Sequence, residues 1–179
     1  ACPAPDGSLH VAMLAAKDGK KLGLREQVPL FLEWALLALA RPAARVAAAL
    51  IATSGPNPWA QSLAADAGRL PQLRAQVLGL LDIWHAAQVQ PDWYFPRSSS
   101  AALTAASKGP EAVARAVATA WAGQGDHSTG ERDYAPGYAR LLATGRAPDD
   151  PDTPEFARLC ALALQIGALI GAQQTADSA

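Results

Sequence analysis

The residues of this 179-residue chain with chemistry to offer are three histidines, two cysteines, a serine run, an aromatic run and one basic cluster. His10, His85 and His127 lie far apart. No two of them stand at the helical or hairpin spacing with which imidazoles share a zinc ion, so a zinc site is not expected. His127 follows Asp126 in a glycine-rich stretch and is of the type to act as acid or base, but a solvated loop histidine explains it more simply. Ser98 to Ser100 carries no Gly-x-Ser-x-Gly elbow and gives no support to a hydrolase triad. Trp93, Tyr94 and Phe95, with Arg97 close behind, have the makings of a base-stacking strip beside a phosphate contact. The prolines on either side, Pro91 and Pro96, favour the alternative, in which the rings pack as core and hinge. Lys17, Lys20, Lys21 and Arg25 are the local basic cluster. Cys2 and Cys160 have neither metal-ligand spacing nor the density of a secreted scaffold, and are expected as free thiols in a reducing compartment.

The elements that must position these residues are organised around the stretch from Leu9 to Thr53. Leu9 to Ala16 is a short apolar run bounded by Gly7 and by Asp18-Gly19, which predicts a strand with Lys17 at its tail end. From Leu22 to Ala40, apolar residues recur at helical spacing on nearly every side, the pattern of a buried helix. Pro29 either kinks that helix, the favoured reading, or falls in the first turn of one starting near Gln27. Arg45 to Thr53 is a second strand-length apolar run, and strand, buried helix, strand predicts a right-handed βαβ unit. A short helix is expected over 59–67. A longer one follows, with Leu70, Leu73, Val77, Leu80, Leu81 and Trp84 on a stripe that should lie on the sheet. Ser98 is expected to cap a short helix running to Ser107. Pro110 to Ala122 forms another helix closed by Gly123, then a polar loop from Gly123 to Asp133, then a helix from Pro136 to Thr144. Thr153-Pro-Glu caps the last helix, which carries Phe156, Leu159, Cys160, Ala163, Ile166 and Ile170.

Composition bounds the function. With 50% apolar and 17% charged residues, the chain can bury a sizeable core, and one domain over residues 9–172 is expected between a loose leader (1–8) and a tail (173–179). A formal net charge of −1 supplies no general basic field for nucleic acid. No apolar stretch reaches the ~20 residues of a membrane span, and Ala1 to Pro5 lacks the regions of a signal peptide, so a cytoplasmic protein without membrane contact is expected.

The order of landmarks resembles the C-terminal domain of the exodeoxyribonuclease V gamma subunit, RecC, of the bacterial RecBCD helicase-nuclease. The likeness rests on Ala15-Ala-Lys17 leading into the Leu- and Trp-rich helix to Leu39, on Trp93-Tyr-Phe-Pro-Arg-Ser-Ser99, and on Ala120-Trp-Ala-Gly123. Gly130-Glu-Arg-Asp-Tyr134, Tyr138-Ala-Arg-Leu-Leu142 and Glu155-Phe-Ala-Arg-Leu159 complete it. It covers roughly Leu9 to Ile170, and the order and spacing of the motifs carry it, each being unspecific alone. The family's subunit is much longer, so the chain is expected to be its C-terminal piece.

The resemblance implies an α/β, helix-rich fold: a small sheet with a βαβ unit and several packed helices, like a catalytically inactive PD-(D/E)xK nuclease domain. Such nucleases hold Mg²⁺ with two carboxylates and set a lysine beside them to orient the attacking water. In active relatives the acid stands two residues before the lysine, so that strand alternation aims both at one metal. That position is Ala15 here; Lys17 remains, and Gln27 with Phe31 four residues on looks like a helical Gln-xxx-Tyr signature without its hydroxyl. The plain alternative is an exposed strand-end lysine and a solvated glutamine.

By this resemblance the domain has no catalytic activity and no cofactor. Its partners are the RecB-like and RecD-like helicase subunits of the ATP-dependent helicase/nuclease, and DNA through the complex, in double-strand-break repair and recombination. The DNA-binding candidates are Lys17, Lys20, Lys21, Trp93, Tyr94 and Arg97. The alternatives are a metal-dependent nuclease drawing carboxylates from Asp6 or Asp18, and a helical protein-interaction module. With a net charge of −1, the chain alone is expected to bind DNA weakly and with an affinity that falls steeply as salt rises. Anisotropy titrations across a salt series check this, and sub-micromolar binding at physiological salt would contradict it.

Overall fold

The computed structural model describes residues 2–3, 8–18, 22–54, 60–63, 69–90, 93–125, 129–134, 137–138 and 147–171. In chain order the elements are β1 (Cys2–Pro3), β2 (Leu9–Asp18), α1 (Leu24–Ala40), β3 (Val46–Ser54), β4 (Ala60–Leu63), α2 (Arg69–Val89), α3 (Pro96–Ala105), α4 (Pro110–Ala122) and α5 (Pro154–Ile170). The chain groups into two compact units, Ala1–Gln90 with Leu169–Ala172, and Pro91–Ala168 with Gln173–Ala179. The sequence reading drew one domain over 9–172.

The first unit is built on a βαβ core. β2 and β3 are neighbours and parallel, in register from Leu9 opposite Val46 to Ala15 opposite Ala52, and α1 makes the crossover between them. β1 and β4 flank them antiparallel, giving the order β1-β2-β3-β4. This is the expected helix-rich α/β architecture with a small sheet. Within the segment expected as a loose leader, Cys2–Pro3 is a strand that pairs with Leu9 and His10 along one edge of β2. The helix expected over 59–67 is corrected: Ala60–Leu63 is a strand paired with Val46–Ala49. Four residues without clear alternation become a strand because β3 offers an open edge, a tertiary cause that local propensity does not show.

α1 begins at Leu24 and carries Pro29 in its interior, which removes the reading that starts it near Gln27. Pro29 has no N–H to bond the Arg25 carbonyl, and both residues are exposed. The start of the helix is fixed by Glu26, whose carboxylate reaches back to accept from the Gly23 N–H at 3.0 Å. Leu24, Leu30, Phe31, Trp34, Ala35 and Ala38 are buried, as are Val11, Val46, Ala48 and Leu50 from the strands. Trp34 ties helix to sheet: its buried indole N–H donates to the Val46 carbonyl at 3.0 Å.

α2 was expected on the sheet and instead packs on α1. Only Leu73 and Val77 of its stripe are buried, while Leu81 and Trp84 are 49% and 61% exposed. The face of β2 and β3 away from α1 accordingly keeps Leu14 72% exposed beside its register partner Ile51.

The second unit centres on Phe95, which is 1% exposed. Its ring lies 4.8 Å from that of Trp121, 4.9 Å from Tyr138 and 6.1 Å from Trp93. Val117 from α4 and Leu159 and Ala163 from α5 complete the core. The expected bounds of α4 hold, with Gly109 and Gly123 at its ends at φ 95° and 80°, the region glycine enters without strain. Thr153 caps α5 as expected, its Oγ1 accepting from the Phe156 N–H at 3.2 Å. Of the helix expected over Pro136 to Thr144, Gly137 and Tyr138 are helical and the rest lies outside the described residues.

Replacing Trp34 by Phe removes the bond to Val46 and leaves that buried carbonyl one donor short, an expected loss of about 1–3 kcal/mol. Leu36→Ser, at a position 54% exposed, is expected to change stability by about 0.5 kcal/mol or less. Urea unfolding midpoints of the two variants check the contrast.

Candidate functional site

The residues that the resemblance marked as vestigial nuclease positions fall at the end of β2 and in the first turns of α1. Ala15 and Lys17 are both in β2, and the register with β3 shifts between Ala15 and Asp18, with one extra residue on β2. Such a bulge interrupts the strict alternation on which an acid-x-lysine spacing depends. Asp18 closes the strand opposite Ser54. Gln27 is half-buried in α1, and Phe31, one turn on, is 1% exposed with its ring edge-on to Trp34 at 5.8 Å. Phe31 therefore serves as a core ring. Lys20, Lys21, Asp6 and His127 lie outside the described residues.

The aromatic strip divides. Trp93 is 7% exposed and packed on Phe95, so its ring is already committed to the core and offers no face to a base. Tyr94 is half-buried, and Arg97 is exposed. His10 is exposed, its Nε2 2.9 Å from the Ser8 hydroxyl, and His85 is exposed on α2. Among the described residues no three His, Cys, Asp or Glu side chains group as metal ligands. Burial pushes the Cys160 thiol up from its ordinary pKa, which lowers its thiolate fraction at neutral pH.

The best-defined polar constellation lies elsewhere, at the start of α3. That helix opens Phe95-Pro96, so its N-cap position has no side-chain acceptor, and the amides of Arg97 and Ser98 must be satisfied from outside. Ser98, expected as the cap, is the third helical residue, and its hydroxyl and that of Ser99 are buried with no hydrogen-bond partner among the described residues. Glu131 takes the capping role. Its carboxylate accepts from the Arg97 N–H at 2.9 Å and the Ser98 N–H at 2.7 Å, and the residue is 6% exposed. Two charge-assisted bonds and the positive end of the helix together make this burial of an anion tolerable.

Glu131 is delivered by a tightly fitted loop. Gly123 and Thr129 form an antiparallel bridge, and Glu131–Asp133 is a single 3-10 turn. A Cβ on Gly130 would stand 2.2 Å from the Trp121 carbonyl oxygen, so only glycine lets the loop lie against the end of α4. Arg97 closes the arrangement, its guanidinium donating to the Thr129 carbonyl at 2.6 Å and lying 5.9 Å from the centre of the Tyr134 ring. The sequence carried a signal for Glu131 in the absence of Ser, Thr, Asp or Asn before Pro96: a helix without a local cap needs a distant acceptor.

The chain matches no protein-family model, no curated protein and no solved structure.

Glu131→Ala is expected to cost about 2–4 kcal/mol, since it strips two buried amides of their acceptor. Glu131→Gln keeps an acceptor oxygen and is expected to cost about half as much. Denaturant midpoints of the two variants against wild type test the clamp, and equal, negligible losses would remove it.

Proposed function

We propose that this chain is a non-catalytic domain of the RecC type, a nuclease-like scaffold that docks the helicase subunits of a double-strand-end-processing complex and helps hold DNA at the fork. The observation that carries the reading is a convergence. Trp93, Phe95, Trp121, Tyr138 and Leu159, from four of the segments on which the resemblance rests, meet in one buried cluster, and the glutamate of a fifth clamps the helix that follows Phe95. Residues whose shared task is packing and capping fit a scaffold whose landmarks are a fold signature and not a reaction centre. Ala15 at the acid position of β2 points the same way, since an alanine supplies no oxygen to a hard divalent cation.

Two measurements test this. Co-expressed with RecB-like and RecD-like helicase subunits, the chain is expected to co-purify with them, and failure to do so favours a helical interaction module with another role. Incubated alone with Mg²⁺ or Mn²⁺, it is expected to leave linear DNA intact. Cleavage that disappears in Lys17→Ala would instead establish the metal-dependent nuclease.

A further inference from the structure

We propose that the outward ridge of α2 is a self-association surface, on which a second copy of this chain docks antiparallel about a two-fold axis at Leu78. The pairing owes nothing to the function proposed above, since no nucleic acid and no helicase subunit enters it. Successive residues of a helix point about 100° apart. Val77 is buried, and a Cβ on Gly79 would come within 2.8 Å of Leu169 Cδ2, so the residues on either side of Leu78 turn inward. Leu78 is left outward, 48% exposed. Arg74 and Asp82, one helical turn before and after it, continue the same ridge and are both exposed. Leu81 beside the ridge is 49% exposed.

What selects a second copy as the occupant is the placement of charge. The formal charges of α2 are Arg69, Arg74 and Asp82, and the last two stand at equal distances from Leu78. They are about 12 Å apart along the axis, too far to pair within one helix. Among the described residues neither has an ion-pair partner. Laid antiparallel with Leu78 on the axis, Arg74 comes level with Asp82 of the second copy and Asp82 with its Arg74, so one register answers both charges twice. A parallel pair would set like against like. The antiparallel register also brings Leu81 of the second copy level with Ala75, over an open apolar groove of about 490 Å³ lined by Leu39, Leu70, Pro71, Arg74, Ala75 and Leu78. Burial of Leu78 and Leu81 drives the association, and the charge pairs fix its direction. One helix face per copy is a small interface, so the affinity is expected at about the micromolar level.

The test is sedimentation of the whole chain from about 1 to 200 µM, where a monomer–dimer equilibrium is expected. Arg74→Asp and Asp82→Arg each set like charges level at two places, and each is expected to weaken the dimer about tenfold or more. The double variant restores opposite charges and is expected to return the affinity to within about threefold of wild type, a rescue that a folding defect would not give. All three variants are checked for the circular dichroism of the wild type. In a Cys2→Ser, Cys160→Ser background, Leu78→Cys is expected to oxidise to a disulfide-linked dimer, because a residue on the axis meets its own copy. Leu36→Cys, exposed on α1, is expected to stay monomeric under the same oxidation. A chain monomeric at every concentration, a dimer indifferent to both single reversals, or a double variant that fails to recover would overturn the proposal. So would a cross-link through Leu14→Cys on the sheet and none through Leu78→Cys, which would place self-association on the face beside Ile51.

Discussion

A carboxylate buried at a helix start organises the second unit. α3 begins with two amides that no neighbour in sequence can satisfy, and Glu131 meets both from 33 and 34 residues away. The constraint propagates in each direction. Upstream it fixes Pro96 and therefore the entry of Phe95 into the core between Trp93, Trp121 and Tyr138. Downstream it draws the loop against the end of α4, where Trp121 is buried and where Gly130 passes the Trp121 carbonyl too closely for any side chain. A long-range cap of this type is worth little to an isolated helix. It matters because it joins a packing problem and a polar-satisfaction problem at one residue, so that the core and the loop must form together.

The first unit solves the corresponding problem with Trp34. A helix apolar on most sides is specified weakly in rotation, because several faces can be buried at similar gain. The indole N–H removes that freedom, since the ring goes under cover only with the Val46 carbonyl as its acceptor. With α1 set this way, Leu30, Phe31 and Ala35 join it in burial, and Leu36 is left outward at 54% exposure. Phe31 thus owes its place to the core of α1.

What was legible in the sequence and what was not follows from where the information lies. β2, α1 and β3 were readable because continuous apolar runs between Gly, Asp and Pro punctuation are local signals. α4 was readable to the residue because Pro110 and Gly123 sit where a helix begins and ends. The start of α5 was readable for the same kind of reason, since Thr153 precedes Pro154. β4 was not, because Ala60–Leu63 is a strand only by virtue of β3 beside it. The stripe on α2 was seen but its destination was not: an apolar stripe says that a face is coverable, not which element covers it, and here only Leu73 and Val77 found cover. Ser98 was taken for a cap on residue type alone, when the proline before it had already moved the helix start upstream. Glu131 was missed as a site residue for the converse reason: it sits in a charged, glycine-led segment that reads as solvent-exposed.

The aromatic residues show how a single composition serves two purposes. Trp93 and Phe95 were candidates for base stacking by type and by the arginine near them, yet both are spent on the core. The arginine is the residue that distinguishes the two uses. Arg97 stands one helical step beyond Pro96, so the turn that buries Phe95 carries Arg97 outward, where its guanidinium meets the Tyr134 ring and not a core ring. The cation that suggested a stacking site in the sequence therefore does flank an accessible aromatic, but one brought from 37 positions away by the Glu131 clamp. A contact of that span leaves no periodic trace in the chain, because its geometry is set by a cap, a bridge and a glycine, each of which is informative only when the partner segment is already in place.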